Sequence, residues 1–349
     1  MHISSPSTGT RKALAAAAAA ALALTGIGAL AAPAQAAGPF ELLSVDHDSA
    51  VFTDGSCTWQ PTVMHTPDPH AISANTSLTT KISGSTSGVG VSGAGDQMRF
   101  TIAETSTVTS STKNGAPQSL RLSYAGSAAT AATAGASTCK IGAWAESAFS
   151  FRVTVTRPTW ATLSLEKAPG SYLTAEIHAT NLDAPGSDDT LAKLYGGAAK
   201  VSGSSSTILL PSGTYEGELR SHTYLNETAV SRSVSTRGSA AVAFAAAGSA
   251  VSGPSGKAQS YAALGSARSC STGTLAAKIT TSKTRAKAIR SVKFAVNGKT
   301  VKTLTGRAVK RGLGLKLKLS ATQQASVTTT VKLKSGSTRT AKAVYRACA

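Results

Sequence analysis

The stretch FSFRVTV at residues 149–155 alternates apolar and polar side chains without interruption. A period of two residues is typical of a β-strand with one buried face. Pro158 interrupts the pattern, and ATLSL at 161–165 resumes it. Another run lies at 172–178, and the turn at 210–215 leads into a strand through Leu219; Gly, Ser, Pro and Asn separate these runs. Many short strands at this spacing predict an all-β fold, with a β-sandwich of one or two subdomains over residues 37–251.

The first 36 residues have the pattern of an export signal. Arg11 and Lys12 precede an uncharged, Ala-rich run at 13–32, and Ala34-Gln35-Ala36 fits the small-x-small rule for cleavage. We therefore predict a signal peptide over 1–36 and a secreted, soluble mature protein, associated with the cell wall. A transmembrane anchor is the alternative interpretation of the same run.

Four cysteines remain after the predicted cleavage: Cys57, Cys139, Cys270 and Cys348. An even number of cysteines in an exported protein indicates disulfides, and four cysteines allow three pairings. We predict Cys57–Cys139 and Cys270–Cys348, because each pair then lies within one proposed domain. A metal site is the alternative, but the CxxC spacing typical of zinc sites does not occur.

A second domain is predicted from the composition beyond Ser252. Residues 252–261 are rich in Gly, Ser and Pro and predict a linker. In residues 262–349, Asn297-Gly298 separates two alternating runs, which predicts a tight β-hairpin. Leucines then occupy every second position from 313 to 319, with lysines at 316 and 318 between them. This segment therefore predicts a smaller sandwich of about seven strands.

Residues from about 266 to 348 resemble the basic immunoglobulin-like domain found at the C-terminus of many exported bacterial proteins. The resemblance is carried by the Cys that opens the first strand, by SVKFAVNGKTV at 291–301 and by the terminal YRAC at 345–348. It implies a small sandwich and no activity. LPSGTY at 210–215 is similar to a turn that is frequent in the sandwich domains of bacterial surface proteins.

Positive charge is concentrated at the C-terminal end. Residues 270–349 contain 18 Lys and Arg and no Asp or Glu, whereas residues 37–269 contain 15 basic and 16 acidic residues. Such a segment attracts polyanions, so we expect an anionic envelope polymer or polysaccharide as the partner. Export and the scarcity of aromatic residues argue against a specific nucleic acid. A solvated, solubilising face is the alternative. The candidate contact residues are Lys293, Lys299, Lys316, Lys318, Lys332 and Lys334, of which 316, 318, 332 and 334 are expected to form one flat stripe.

We predict no catalytic residues, no cofactor and no metal. Several groups of residues are chemically capable of forming a site, and we favour a solvated or structural role for each. They are His65, Asp68 and His70 between two prolines; Asp46, His47 and Asp48; Asp183, Asp188 and Asp189 in a Pro-Gly-Ser loop; and Glu216 with Glu218 on one strand. Trp59 and Trp144 are expected in the core near the first disulfide, whereas Trp160 is expected to be exposed and able to stack on a glycan.

These observations favour a secreted, non-enzymatic protein of the cell wall or surface that binds through its basic domain. Two alternatives remain open at this point. One is a secreted hydrolase that acts on polysaccharide or peptide through a site that the sequence does not reveal, and the other is a spacer module without a ligand.

Overall fold

The computed structural model describes residues 40–53, 57–59, 63–65, 75–93, 95–133, 135–168, 171–179, 190–196 and 201–349, all of which belong to one compact unit. The predicted signal peptide lies outside these residues. The described chain consists mainly of antiparallel strands, so the all-β prediction is confirmed. None of its helices is long and apolar enough to cross a membrane.

The N-terminal strands are β1 Phe40–Thr53, β2 Cys57–Trp59, β3 Val63–His65, β4 Ser77–Gly90, β5 Gln97–Lys113, β6 Ala116–Ala132, β7 Ile141–Val155, β8 Thr159–Lys167, β9 Ser171–Ala179, β10 Thr190–Gly196, β11 Val201–Leu210, β12 Gly213–Thr228 and β13 Arg232–Ala246. Sheet 1 has the order β1-β7-β12-β9-β10. Sheet 2 has the order β11-β8-β13-β6-β5-β4-β2, and β3 also pairs with β4. Sheets 1 and 2 pack face to face as a sandwich.

The alternating stretch at 149–155 lies in β7, between β1 and β12. Its four apolar side chains point between the sheets and are at most 2% exposed. They pack against leucines of sheet 2, among them Leu122 and Leu163. A second apolar cluster, around Met98 and Phe100, lies beside the Cys57–Cys139 disulfide. The predicted strands at 161–165 and 172–178 are present as parts of β8 and β9, and the predicted strand through Leu219 lies within β12. Strand β12 already begins at Gly213, inside the segment predicted as a turn.

The C-terminal strands are β14 Ala250–Ser255, β15 Ala262–Ser269, β16 Thr274–Ile279, β17 Ile289–Val296, β18 Lys299–Thr305, β19 Gly314–Lys318, β20 Ala325–Leu333 and β21 Thr338–Tyr345. One α-helix, Lys283–Ala288, and two 3-10 helices, Lys257–Ser260 and Gly306–Ala308, connect them. Sheet 3 has the order β14-β21-β20-β17-β18, and sheet 4 has the order β15-β16-β19. Sheets 3 and 4 enclose a core around Phe294, Val331 and Tyr345.

The predicted hairpin joins β17 to β18. Asn297 and Gly298 both have a positive φ, of 49° and 81°, as a tight two-residue turn requires. The Oδ1 atom of Asn297 also accepts a hydrogen bond of 2.7 Å from the backbone N–H of Ser326. The turn is therefore held by the neighbouring strand as well as by its own conformation.

Both predicted disulfides are confirmed, and each joins the two sheets of one sandwich. Cys57 lies in β2 of sheet 2, whereas Cys139 immediately precedes β7 of sheet 1. Cys270 follows β15 of sheet 4, and Cys348 follows β21 of sheet 3. Each bond therefore ties the two layers of its sandwich together.

Residues 252–261 form folded elements rather than the predicted linker. Strand β14 pairs with β21 at the edge of sheet 3, and the 3-10 helix that follows places Ala258 in the core with no exposed surface. Gly and Pro usually signal connecting chain, but an edge strand pairs on only one side and therefore tolerates Pro254. The composition signal was thus misleading here because it does not distinguish an edge strand from a loop.

Candidate binding surfaces

Sheet 3 carries a flat polar surface on the side away from its core. Lys293 lies opposite Thr330, and Thr330 lies opposite Thr340. Lys332 and Lys342 occupy neighbouring rows of the same face, opposite Thr338 and Thr328. Because side chains alternate along a strand, these lysines and threonines all point away from the buried Val331 and Ala341. The outer face of sheet 3 is therefore an array of ammonium and hydroxyl groups.

Sheet 4 carries a second basic face. Lys316 lies opposite Ala276, Lys318 opposite Thr274, and Lys278 opposite Gly314. A shallow groove of about 580 Å³ runs along this face between Lys278 and Lys316, and the small side chains of the three strands form its floor. The groove lies on the outer side of the sheet, because the alternate residues, such as Leu275 and Leu317, are buried in the core.

The predicted lysine stripe is divided between these two faces. Lys316 and Lys318 belong to β19, which pairs with β16 in sheet 4. Lys332 belongs to β20, which pairs with β17 and β21 in sheet 3, and Lys334 follows the end of that strand. Strand alternation correctly predicted that these side chains point outwards. It could not predict that β19 and β20 belong to opposite sheets, because that depends on pairing between distant segments.

Lys293 and Lys299 also belong to sheet 3. Lys293 shares the outer face with Lys332, and Lys299 begins the edge strand β18. Arg268 is the exception among the basic residues of the C-terminal sandwich, because it is only 3% exposed. Its guanidinium donates to the backbone carbonyls of Ser320 and Gln323, and burial lowers the pKa of this guanidinium. Arg268 therefore fixes the chain before β20 and is not available to a ligand.

The outer face of sheet 1 carries a row of aromatic side chains that the sequence did not reveal. Tyr195, Tyr172, Tyr224 and Trp144 lie on the adjacent strands β10, β9, β12 and β7, and we call them the aromatic row. His222 lies among them. Its ring centroid is 5.4 Å from that of Trp144, 5.7 Å from that of Tyr172 and 5.9 Å from that of Tyr224.

The outer face of sheet 1 also carries ion pairs, which lie beside the aromatic row. Arg220 contacts Glu146 at 3.0 Å and Glu218 at 2.8 Å. Glu176 contacts Lys193 at 2.8 Å and His178 at 3.3 Å. Each contact joins neighbouring strands or neighbouring positions on one face, so the side chains hold one another in place.

A third group on the same face is centred on Arg152. Its guanidinium contacts Glu41 at 2.9 Å and Glu216 at 2.8 Å. Glu216 and Glu218, which were predicted to face one way, do so, and each contacts an arginine. Arg152 and Arg220 each contact two carboxylates. The outer face of sheet 1 therefore contains more acidic than basic groups.

Burial shifts the pKa values of His222 and Glu146 on this face. Burial, assisted by the nearby Arg220, lowers the pKa of His222 to about 4, so its ring is neutral at pH 7. Burial also raises the pKa of Glu146, although Arg220 partly opposes this effect. The aromatic row therefore surrounds an uncharged imidazole at neutral pH.

Trp144 and Trp160 differ from their predicted positions. Trp160 is half-buried, and its indole N–H donates a hydrogen bond of 2.9 Å to the carbonyl of Ala347, so it contacts the C-terminal end of the chain. Trp144 is half-buried on the outer face of sheet 1 rather than in the core, because alternation along β7 gives the inward positions to Ala143 and Ala145. The side chain of Trp59 lies outside the described residues.

Of the remaining candidate groups, the structure describes only the side chains of Asp46, His47 and Asp48, and these three do not assemble into a site. His47 faces inwards, where its Nδ1 lies 3.2 Å from the Oγ of Ser147, while Asp46 and Asp48 face outwards. The side chain of His65 lies outside the described residues, as do Asp68, His70 and the aspartates at 183, 188 and 189. Among the residues that the structure does describe, no group of three His, Cys, Asp or Glu is placed to hold a metal ion.

Comparison with known proteins gave no family model and no curated relative that matches the chain. Three solved structures share limited likeness. The glycoside hydrolase domain of Endo-D from Streptococcus pneumoniae is 13% identical over 66% of this chain and 34% of its own, with a TM-score of 0.18. The adhesin domain of Epf from Streptococcus pyogenes is 12% identical over 69% and 78%, with a TM-score of 0.17.

Carbohydrate-binding modules of the β-sandwich superfamily are 12% identical over 60% of this chain and 99% of theirs, with a TM-score of 0.16. This chain therefore spans about a third of the length of the first of these three structures and most of the other two. At such TM-scores the likeness carries no argument about function, which has to be based on the surfaces themselves.

Proposed function

We propose that this protein is a non-enzymatic binding protein of the bacterial cell surface, held on anionic envelope polymers by its C-terminal sandwich. One observation carries the proposal: residues 250–349 contain 20 Lys and Arg and no Asp or Glu. The only carboxylate available to this sandwich from its own chain segment is the C-terminus. With the exception of the buried Arg268, its cations are therefore not neutralised by acidic residues of the same sandwich and can bind negative groups of another molecule.

The placement of the cations supports this function. Lys293, Lys332 and Lys342 lie on the outer face of sheet 3, among threonine hydroxyls that can donate hydrogen bonds to phosphate or carboxylate oxygens. Attraction between exposed charges is screened over about 8 Å at physiological salt, so binding requires close contact along the polymer. A flat face on each side of the sandwich allows such contact over several repeats of an extended chain.

Nucleic acid is a poorer partner for these faces. Recognition of single strands relies on exposed aromatic rings that stack on bases. Phe294 and Tyr345 have no exposed surface, so neither ring is available for stacking. Teichoic acids and acidic polysaccharides need only charge and hydrogen bonding, which the lysine and threonine side chains supply.

Salt elution from purified cell walls tests the proposal. We expect the mature protein to bind walls in dilute buffer and to be released by 1 M NaCl. Replacement of Lys293, Lys332 and Lys342 by Glu should shift elution to clearly lower salt. The matched control replaces the exposed Lys81, Arg99 and Lys113 of the N-terminal sandwich by Glu, which changes the net charge equally and should leave elution nearly unchanged. Retention that resists 1 M NaCl, or an equal effect of both variants, would contradict the proposal.

A further inference from the structure

We infer that the outer face of sheet 1 is a second binding site, for an uncharged polysaccharide chain that lies along the aromatic row. This inference goes beyond the proposed function, because it concerns a different sandwich and a ligand without charge. The two sites would allow the protein to hold an anionic polymer with one end and a neutral glycan with the other.

The position of the aromatic row is the first argument. The chain has 7 Tyr and 3 Trp, and four of these ten side chains lie on the side of sheet 1 that faces away from the core. Polar residues normally occupy such a face, so a concentration of rings there indicates a contact surface. Tyr195 is 65% exposed, which makes its ring directly available.

The direction of the aromatic row is the second argument. The four rings belong to four adjacent strands. Tyr195, Tyr172 and Tyr224 each lie one row further along the sheet than the last, and Trp144 lies directly opposite Tyr224. Neighbouring strands are about 4.8 Å apart, so the row crosses roughly 14 Å of the sheet on a diagonal. This arrangement offers successive apolar contacts to an extended polymer whose sugar rings have apolar C–H faces.

The packing of the rings is the third argument. Tyr172 and Tyr224 meet edge to face at 6.3 Å, and Trp144 meets His222 in the same manner at 5.4 Å. Such contacts restrict the rotamers of the rings before a ligand arrives, which reduces the entropy that binding costs. The neutral His222 at the centre adds no charge to this surface.

The charged groups beside the rings indicate which ligand charge this surface can accept. The outer face of sheet 1 carries seven carboxylates and only three Arg or Lys, a ratio that repels polyanions. The carboxylates are Glu41, Asp46, Asp48, Glu146, Glu176, Glu216 and Glu218, and the cations are Arg152, Arg220 and Lys193. Sugar hydroxyls can both donate to such carboxylates and accept from such cations, so an uncharged glycan fits this surface where an acidic polymer does not.

Retention of the mature protein on insoluble cellulose, chitin and xylan tests the inference, with cross-linked polygalacturonate as the anionic comparison. The assay is run in 1 M NaCl, which suppresses binding by the basic sandwich. We expect retention on at least one uncharged polysaccharide and none on polygalacturonate. Tyr195→Ala should weaken retention by up to about tenfold, the loss that corresponds to about 1.4 kcal/mol. Trp144→Ala should weaken it at least as strongly.

The exposed Val91 and Val301 provide matched controls, because both lie away from sheet 1 and their replacement by Ala should not change retention. The ring of Tyr195 is largely exposed, so Tyr195→Ala should leave the thermal midpoint unchanged. A loss of retention in this variant would therefore not be caused by misfolding.

Absence of retention on all three uncharged polysaccharides, or retention that both ring variants leave intact, would overturn the inference. It would also be overturned if the variants instead converted an oligomer to a monomer in sedimentation, because the face would then join copies of this chain. Loss of wall binding in dilute buffer, with glycan retention intact, would contradict only the proposed anchoring function.

Discussion

At the scale of single residues, the most unusual group is a carboxylate between sheets 1 and 2. Glu104 is 1% exposed and accepts hydrogen bonds from surrounding hydroxyls, among them those of Ser221 at 2.8 Å, Thr223 at 2.7 Å and Ser106 at 3.1 Å. Gly126 lies opposite Glu104 in the neighbouring strand, and a Cβ there would collide with the hydroxyl of Thr223. The glycine thus leaves room for the hydroxyls that compensate the buried charge.

Replacement of Glu104 by Gln should change how stability depends on pH. Burial raises the pKa of Glu104, although the hydroxyl donors oppose part of this effect. A carboxyl whose pKa is raised in the folded protein makes the free energy of unfolding fall as the pH rises from the usual pKa of Glu through the folded value. Gln does not titrate, so the stability of Glu104→Gln relative to the wild type should increase over that interval. Urea unfolding of both proteins at pH 4.5 and pH 7.5 measures the change.

Glu104→Ala is the companion variant, and it should destabilise the protein at both pH values by about 1–3 kcal/mol, because it removes the carboxylate acceptor from a cluster of buried hydroxyls and leaves a void. A difference between Glu104→Gln and the wild type that does not vary with pH would show that the carboxyl does not titrate in this range.

At the scale of secondary-structure elements, strand β14 shows how a segment that resembles a linker becomes part of a sheet. Gly256 ends the strand with a φ of 115°, and a Cβ there would collide with the carbonyl of Thr340 and lie 2.9 Å from the Cα of Ala341. Gly253 lies three residues earlier, and a Cβ there would meet nothing within 4 Å. The two glycines have similar sequence surroundings but different structural requirements.

Gly256→Ala should therefore lower the free energy of unfolding by about 1–3 kcal/mol, through backbone strain and a steric clash with β21. Gly253→Ala is the matched control and should stay within about 0.5 kcal/mol of the wild type. Denaturant unfolding measures both values. Equal stability of the two variants would show that β14 detaches from sheet 3 without cost.

At the scale of the whole molecule, each sandwich has one disulfide, but only the C-terminal sandwich carries a large excess of positive charge. The acid-free C-terminal sandwich repels itself, and this repulsion weakens its folded state at low ionic strength. The Cys270–Cys348 bond closes a loop of 78 residues, which corresponds to about 4.5 kcal/mol in the chain-entropy model. The bond therefore offsets part of the cost of concentrating cations in one sandwich.

We expect Cys270→Ser/Cys348→Ser to lower the thermal midpoint of the C-terminal sandwich, and we expect added NaCl to recover part of the loss because it screens the repulsion. Cys57→Ser/Cys139→Ser is the matched control, since it opens a loop of 82 residues in a sandwich with nearly balanced charge. Calorimetric scans in 20 mM and 500 mM NaCl compare the two variants. Equal recovery by salt in both would contradict the proposed role of self-repulsion.

The sequence by itself determined the all-β architecture, the Asn297-Gly298 turn and the segregation of charge, because each follows from local periodicity, turn chemistry or composition. The four cysteines allowed three pairings, and the division into two domains selected the one that the structure shows. Only the tertiary structure decided which side chains share a surface. Lys316 and Lys332 separate onto opposite sheets, whereas Trp144 and Tyr224 become neighbours across 80 positions of the chain. Alternation along a strand specifies whether a side chain faces inwards or outwards, but strand order and register arise from non-local pairing, and these decide which outward-facing residues meet.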